Sequence, residues 1–538
     1  MNGIDDVNKS LLGLYCNDPR FLVELHEVQQ YYDFYEGRPF NGQEEDYNND
    51  KGQLWKVKAR DYKPTREVRN LVKKLMKKQG RFMTSVPPTL VLSAVQGELD
   101  RERIDAKRGL IDDILKDGKF WNKFSKAFMD CTIGKRVLLA LIVEQDESGN
   151  PVDDKPLRFR FYTMPEFTYE YDPNDVDKLV KVQIAYQDEE TVGKIQQEQR
   201  WHKWTYEMRE DNYCWCVYEV VDGTNTTAFI EVMASPLVSS EHLEDDVHSQ
   251  QVELRQEWNT GLSMIPCKVI LNDGLTGDVR GHSDVKDLMD MAMDYNKTIS
   301  DYRDALRFKM FEQPVFIDAD SNSLAELKIA PNAVIDLKSD PSLGNGVNAS
   351  SVAKAQMLSS TFNFQPAADA YLTRLKQDMY ELMEQPMPEQ LVDVPSGKAL
   401  KMIYYDLITR CEEKWSEWDE ALTWLVQLIE EAILVYGLYG DKADIDCMNL
   451  ETTISWSHNY PIPDDEADNK TVAIAEVQAS VRSKKSYIEE FSNNEDAEAE
   501  YQQILDETNQ MNEINNAMLG LDNTKGPTDD ESKNKQNE

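Results

Sequence analysis

Apolar and polar residues alternate along much of the first 280 residues. Between residues 135 and 234, six segments place apolar side chains at every second position, which is the spacing of strands with one buried face. Turn-forming sequences such as ESGNP and DPND separate them. Residues 1–280 are therefore predicted to form an α+β domain built largely on antiparallel sheet. The six segments are KRVLLALIVEQ, LRFRFYTM, EFTYEY, KLVKVQIAYQ, CWCVYEVVDG and TAFIEVMA.

Helical spacing precedes these strands in three places. The sequence predicts one helix over 18–36, which stops at Gly37, and a second over 65–79, which stops at Gly80. A strand-like segment, PPTLVLSA, follows the second helix. A third helix is predicted over 100–130.

The pattern becomes helical after Gly281. Residues 283–312 are helix formers whose apolar members recur at steps of three and four, and Pro314 ends the run. A strand-and-turn segment follows, and helical spacing resumes at Pro366, a proline suited to a first helical turn. A third long helix is predicted over 397–437. The apolar stripe of the first of these helices consists of Val285, Leu288, Met289, Ala292, Tyr295, Ile299 and Tyr302.

The charge of the chain restricts its partners. Lys and Arg number 59 and Asp and Glu number 98, so the net charge is −39. Such a surface repels DNA phosphates and anionic membranes, and any contact with DNA must be local or weak. No signal peptide or membrane span is expected, and the seven scattered cysteines are typical of reduced, cytosolic thiols.

The segment PMPEQLVDVPSGKALK, residues 386–401, contains a Gly-Lys pair that suggests a phosphate-binding loop. That motif requires a glycine five residues before Gly397 and a Ser or Thr after Lys398. Val392 and Ala399 occupy those two positions, and no hydrophobic strand precedes the segment. The simpler interpretation is a loop whose Ser396 caps the following helix.

One basic cluster stands out in this acidic chain. Residues 63–81 contain eight cations and the single acidic residue Glu67 above an apolar stripe of Val68, Val72, Leu75 and Met76. The cluster is a candidate contact for DNA or another anionic partner. A solvated face, or pairing with an acidic neighbour in an oligomer, is the favoured interpretation because the net charge is strongly negative. The cations are Lys63, Arg66, Arg69, Lys73, Lys74, Lys77, Lys78 and Arg81.

The sequence offers no catalytic or metal-binding constellation. Cys214 and Cys216 lie on a predicted strand, and the six histidines supply no further zinc ligands at finger-like spacing, so packing on one face of the sheet is favoured. DPNDVD, residues 172–177, lacks the glycine of a calcium loop. We expect no catalytic residue, no metal and no cofactor, and the chain is predicted not to be an enzyme.

Taken in order, several segments resemble those of one family. They are QYYDFYEGRP (30–39), RNLVKKLMKKQGRFMTSVPP (69–88), residues 265–317, the loop-then-helix unit at 395–429 and the segment at 469–507. Their order resembles the portal proteins of tailed bacteriophages, of the type found in long-tailed phages with Gram-positive hosts. The resemblance covers most of the chain, and the ordered set is more specific than any one segment.

The resemblance implies a ring-forming α+β portal fold, with a mixed wing domain, long stem helices, a small α/β clip and a helical crown. The regions would be the wing (1–280), the first stem helix (281–313), the clip (314–362), the second stem helix (363–385), the tunnel loop (386–396), a long wing helix (397–440), the crown (441–510) and a disordered acidic tail (511–538). The tail has no counterpart that we can match in the family.

The same resemblance implies the function and the partners. The chain would form a homo-oligomeric ring, expected to have twelve copies, at one capsid vertex of the virion after assembly in the host cytoplasm. Double-stranded DNA would pass through it during packaging and ejection. The terminase large subunit, a head–tail adaptor, and the major capsid and scaffolding proteins would be partners, with no membrane. The alternatives are another structural head-completion protein or, less favoured, an ATPase or nuclease of the packaging motor.

Three groups of residues are the predicted sites. In the tunnel loop, apolar contact and carboxylate repulsion would narrow a channel without gripping DNA; its residues are Met387, Glu389, Leu391, Val392, Asp393 and Val394. In the clip, the residues expected to dock the motor or adaptor are Asp318, Asp320, Glu326, Lys328, Asp336 and Lys338. The basic surface helix contributes Arg66, Arg69, Lys73, Lys74, Lys77 and Lys78.

Overall fold

The protein combines long helices with antiparallel sheets, which confirms the predicted α+β class. The computed structural model describes residues 19–37, 67–94, 101–143, 156–187, 200–222, 252–274, 277–310, 313–317, 354–358, 363–391, 397–440, 448–462, 466–491 and 497–518. The finer division into wing, stem, clip and crown remains a prediction.

The helices largely follow the periodicity of the sequence. In the described ranges they are α1 (Pro19–Glu36), α2 (Leu71–Thr84), α3 (Arg101–Asp117), α4 (Phe120–Gly134), α5 (Asp284–Met310), α6 (Gln365–Leu382), α7 (Gly397–Ile403), α8 (Tyr405–Tyr436), α9 (Glu466–Gln478), α10 (Lys484–Phe491) and α11 (Ala497–Met518).

In the part of the chain that the structure describes, the strands pair in antiparallel fashion. They are β1 (Thr89–Ala94), β2 (Arg136–Val143), β3 (Leu157–Thr163), β4 (Phe167–Asp172), β5 (Asp175–Gln187), β6 (Arg200–Met208), β7 (Cys214–Asp222), β8 (Val252–Asn259), β9 (Cys267–Leu271), β10 (Gln313–Ile317), β11 (Lys354–Leu358) and β12 (Thr452–Ser457). The described sheets have the orders β4-β5-β6-β7-β8, β3-β2-β9, β1-β12 and β10-β11. Five of the six predicted strand segments are confirmed, as is PPTLVLSA, and TAFIEVMA lies outside the described residues.

Several predicted helix boundaries were wrong. The helix predicted over 65–79 begins at Leu71, because the Asn70 side chain accepts a hydrogen bond from the Lys73 amide and caps it there. The helix predicted over 100–130 is two helices, since Lys119 adopts a left-handed φ of 51° between them. The helix predicted over 397–437 is broken at Tyr404, whose φ and ψ of −91° and 3° leave the helical range.

The C-terminal part also differs from the prediction in two places. Residues 452–457, within the predicted helical crown, form β12, which pairs with β1 in the register Thr89↔Ser457. The tail predicted to start at 511 begins within α11, which continues to Met518.

The chain divides into two compact units. One comprises Met1–Val392 and Ile403–Pro461 and contains the sheets; the other comprises Asp393–Met402 and Ile462–Glu538. Within the second unit, Arg482 forms ion pairs with Glu476 and Glu490 that tie α9 to α10.

The helical core of the first unit is built by α1, α2, α5 and α6. The stripe predicted on α5 is largely confirmed, because five of its seven residues are buried and Met289 packs against them. The stripe beneath the basic cluster is confirmed as well, with Val72, Leu75 and Met76 at most 1% exposed. The buried members on these four helices are Leu25, Val28, Tyr31, Phe34, Val72, Leu75, Met76, Val285, Leu288, Ala292, Tyr295, Ile299, Leu375, Met379 and Tyr380.

Candidate functional site

The 386–396 loop follows directly after α6, and its first residues are fixed on α2. The Gln385 side-chain amide donates to the Leu75 carbonyl at 2.8 Å, and Gln385 is 5% exposed. The Lys78 ammonium donates to the Pro386 carbonyl, also at 2.8 Å. Gln385 and Pro386 form what we call the base of the loop. Two predicted sites, the loop and the basic helix, therefore meet at this base.

Beyond this base the loop turns outward. Residues Pro388–Leu391 form a short 3-10 turn, which the Gln390 side chain closes by accepting from the Met387 amide at 3.0 Å. Met387 itself is half-buried and packs against the helical core, and Leu391 is half-buried. Val392, Asp393, Val394 and Ser396 lie outside the described residues.

Glu389 is the exposed carboxylate of the turn, with 65% of its side chain accessible. A hydrogen bond from its own backbone amide, together with Lys376, whose ammonium lies 3.4 Å from Oε1, holds the pKa of Glu389 below its usual value. Glu389 therefore carries its negative charge at neutral pH, as the proposed repulsion of phosphate requires.

The cations of α2 and α6 surround one aromatic ring beside the loop. The ammonium groups of Lys74, Lys78 and Lys376 lie 5.8, 5.6 and 6.0 Å from the centroid of the Tyr380 ring. Such contacts suit the negative face of an aromatic ring. Burial, and then repulsion from Lys74, lower the pKa of Lys78.

Most described members of the basic helix have partners within the chain. Lys73 forms an ion pair with Glu36 at 2.9 Å, and Arg69 pairs with Glu67 at 3.1 Å. Lys77 is exposed, and Arg66 lies outside the described residues. These contacts favour the solvated, structural interpretation of this helix over a DNA-binding one.

The six predicted clip residues lie outside the described residues. The described chain enters that segment through β10 and leaves it through β11, which pair in the register Gln313↔Leu358 and Ile317↔Lys354. Ile317 and Lys354, the described residues that flank this segment, therefore lie side by side.

A buried polar centre was missed by the sequence analysis. At the first turn of α5, Asp284 Oδ1 accepts from Lys414 at 3.0 Å and from Asn272 at 2.9 Å, while Oδ2 accepts from Gln79 at 2.9 Å. Arg410 approaches Oδ2 at 3.5 Å. The available signal was the spacing of α8, where Lys414 occupies a position in phase with its apolar, buried face.

This polar centre connects the base of α5 to the loop through adjacent residues of α2. Gln79 belongs to the polar centre, Lys78 holds Pro386, and Leu75 accepts from Gln385. Burial alone would raise the pKa of Asp284, but the Lys414 ammonium and Arg410 guanidinium hold it well below its usual range. The loop base is thus attached through α2 to the same helix face that contacts the polar centre.

The two strand cysteines lie on β7 as predicted. Cys214 and Cys216 are both buried, and burial raises the pKa of each thiol to about 12, so both remain protonated. Among the described residues, no group of His, Cys, Asp and Glu side chains has the arrangement of a metal site.

These features define a protein with paired long helices and a loop held at their junction. A family model described as "Phage portal protein, SPP1 Gp6-like" matches residues 18–513. The chain therefore belongs to this family and is a portal protein of a tailed phage. Family membership gives it a structural role at the portal vertex of the capsid, in DNA packaging. No curated protein matches the chain. No helix in the described part of the chain is long and apolar enough to cross a membrane.

Proposed function

We propose that the chain assembles into a ring, expected to contain twelve copies, and that its 386–396 loop lines the channel through which double-stranded DNA passes. Residues 284–310 and 365–382 act as the stem helices, and the segment between β10 and β11 acts as the clip. The ring docks the terminase large subunit during filling and a head–tail adaptor afterwards, with the capsid and scaffolding proteins around it. Assembly takes place in the host cytoplasm.

The observation that carries this proposal is the fixed base and exposed turn of the loop. Lys78 and Gln385 hold the loop at α2 with two hydrogen bonds of 2.8 Å each, while Glu389 is exposed. A charged turn on a rigid base can narrow a channel without closing it. Because the turn presents a carboxylate, it adds no counterion-releasing contact with phosphate, and DNA slides rather than binds.

Deletion of residues 388–394 tests this role in assembled particles. We expect rings of normal symmetry in negative-stain images but particles that retain less nuclease-protected DNA. The matched control is Lys178→Ala, an exposed residue of β5, which should package normally. Normal packaging and retention by the deletion variant would refute the channel role of the loop.

A further inference from the structure

A basic cleft lies at the edge of β3 and shares no residue with the 386–396 loop. It encloses about 490 Å³ between α4, β2 and β3. In a chain of net charge −39, its lining contains four cations and one carboxylate, Asp130. The cations are Lys123, Lys126, Arg158 and Arg160.

The cations reach the cleft from two sides of the sheet. On β3, Phe159 and Phe161 pack on Phe120 of α4, with ring centroids 5.2 and 5.7 Å apart. Because side chains alternate along a strand, Arg158 and Arg160 leave by the opposite face. The lysines of α4 and the arginines of β3 therefore converge at the edge of the strand.

This edge is open among the described strands. There, β3 pairs with β2 alone, so one row of its backbone groups has no strand partner. The Lys123 ammonium donates to one of these groups, the Phe159 carbonyl, at 2.9 Å. A lysine at a strand edge disfavours pairing of that edge with a strand of another chain, and it makes the edge positively charged.

The electrostatics of the cleft favour an anionic occupant. Burial, followed by repulsion from Arg158 and Lys119, lowers the pKa of Lys123. Burial raises the pKa of Asp130 to about 6, and its carboxylate accepts a hydrogen bond from the Tyr32 hydroxyl at 3.2 Å, so this one carboxylate is outnumbered by the four cations of the lining. The Arg160 guanidinium is held 4.8 Å above both the Tyr162 and Tyr186 rings, which fixes its direction.

We propose that this cleft docks an extended acidic segment of a neighbouring copy of this chain. The inference rests on the proposed ring. In a ring, the cleft of each copy would meet the equivalent face of its neighbour. Each copy has 39 more carboxylates than cations, so charge complementarity makes a second copy the fitting partner. A cleft of about 490 Å³ holds a few side chains of an extended peptide rather than a DNA duplex.

Zero-length carbodiimide coupling tests the contact directly, because it joins an amine to a carboxylate only when the two touch. Rings assembled from a mixture of ¹⁵N-labelled and unlabelled chains are coupled, digested and analysed by mass spectrometry. We expect Lys126 to be joined to an Asp or Glu of another copy, seen as mixed heavy–light peptides. The Lys126→Arg variant retains the charge and should form rings without this product.

A charge-reversal pair gives the functional readout. The Lys126→Glu/Arg160→Glu variant should keep its far-UV circular dichroism, because both residues are exposed, but show a several-fold lower fraction of chain in rings. The control is Lys178→Glu/Lys116→Glu, two exposed cations outside the cleft, which produces the same change in net charge.

Three results would overturn the docking site. The first is that Lys126 couples only within its own copy or not at all in intact rings. The second is that the reversal variant forms normal rings but loses binding to a labelled DNA duplex, which would make the cleft a nucleic-acid site. The third is that the wild-type chain forms no ring, which would also refute the proposed function; the first two would leave that function standing.

Discussion

The ammonium of Lys414 lies 3.0 Å from Oδ1 of Asp284, with side chains 2% and 1% exposed. Lys414 also contacts Asn272 and Asp273, each at 2.8 Å. Through these bonds α8 holds the first turn of α5, where a carboxylate additionally favours the helix N-terminus. A buried ion pair of this kind stabilises the fold only while both partners are present.

Removing one partner of the Asp284–Lys414 pair should therefore lower the free energy of unfolding. Lys414→Met leaves the Asp284 carboxylate buried with less compensation, and we expect the free energy of unfolding to fall by about 3–5 kcal/mol. The measurement is urea unfolding followed by tryptophan fluorescence. As a control, Glu36→Gln breaks the exposed Lys73 pair and should cost less than about 1 kcal/mol. Equal losses for the two variants would contradict a special role for the buried pair.

Gly281 provides a second test of the same region. Its φ is +72°, and a Cβ there would lie 2.4 Å from the Lys135 carbonyl oxygen and 3.0 Å from that of Asn272. Gly281→Ala combines left-handed strain with a backbone clash, so we expect a loss of about 3 kcal/mol or more. Gly437 has a φ of +61° with open space around it, and Gly437→Ala should cost only the strain, about 1–2 kcal/mol. Equal thermal-melting shifts for the two would rule out the clash.

His458 should make stability depend on pH. Its Nδ1 lies 2.9 Å from Glu412 and its Nε2 lies 3.0 Å from Asp419, while its ring stacks on Trp415 at 4.5 Å. Two carboxylates on two ring nitrogens require the doubly protonated imidazole. Burial alone would lower its pKa, but hydrogen bonds to Asp419 and Glu412 raise it above 6.5.

Because the folded pKa is raised, this stabilisation is complete below pH 6.5 and is lost as the pH rises through the folded value. Melting temperatures of the wild type should therefore fall above pH 6.5, and His458→Gln should flatten that part of the profile. Parallel profiles for the two proteins would show that His458 is not the responsible group.

The base of the 386–396 loop can be tested without phage. Lys78→Met removes the hydrogen bond to Pro386, worth about 1 kcal/mol, so amide exchange in residues 383–391 should accelerate roughly fivefold. Lys77→Met is the matched control, since Lys77 is its exposed neighbour on the same helix. Hydrogen-exchange mass spectrometry measures both, and indistinguishable protection in the two variants would contradict the fixed base.

Elements whose buried face is mainly apolar were predictable from the sequence. The stripe of α5 follows its helical periodicity, and Val137–Leu141 of β2 form an apolar run that is buried throughout. The strand β6 was missed because its buried positions include Lys203 and Thr205, which interrupt the apolar alternation. Lys203 is accommodated there by Glu219 at 3.1 Å, a partner on β7 that local periodicity does not identify.

Long-range pairing accounts for much of what the sequence did not reveal. The strand β12 pairs with β1 across more than 350 residues, and no local pattern specifies such a partner. The 386–396 loop was predicted from its own residues, but its attachment to Leu75 and Lys78 depends on the packing of α6 against α2. The polar centre at Asp284 gathers residues of α2, of α8 and of the segment 272–284 for the same reason.

A cryo-electron microscopy map of the purified, assembled protein is the most direct test of the central proposal. It predicts a closed ring, expected to have twelve-fold symmetry, in which the turn at Pro388–Leu391 projects towards the axis and forms a constriction of the channel. A map without a closed ring, or a ring that carries this turn on its outer surface, would contradict the proposal.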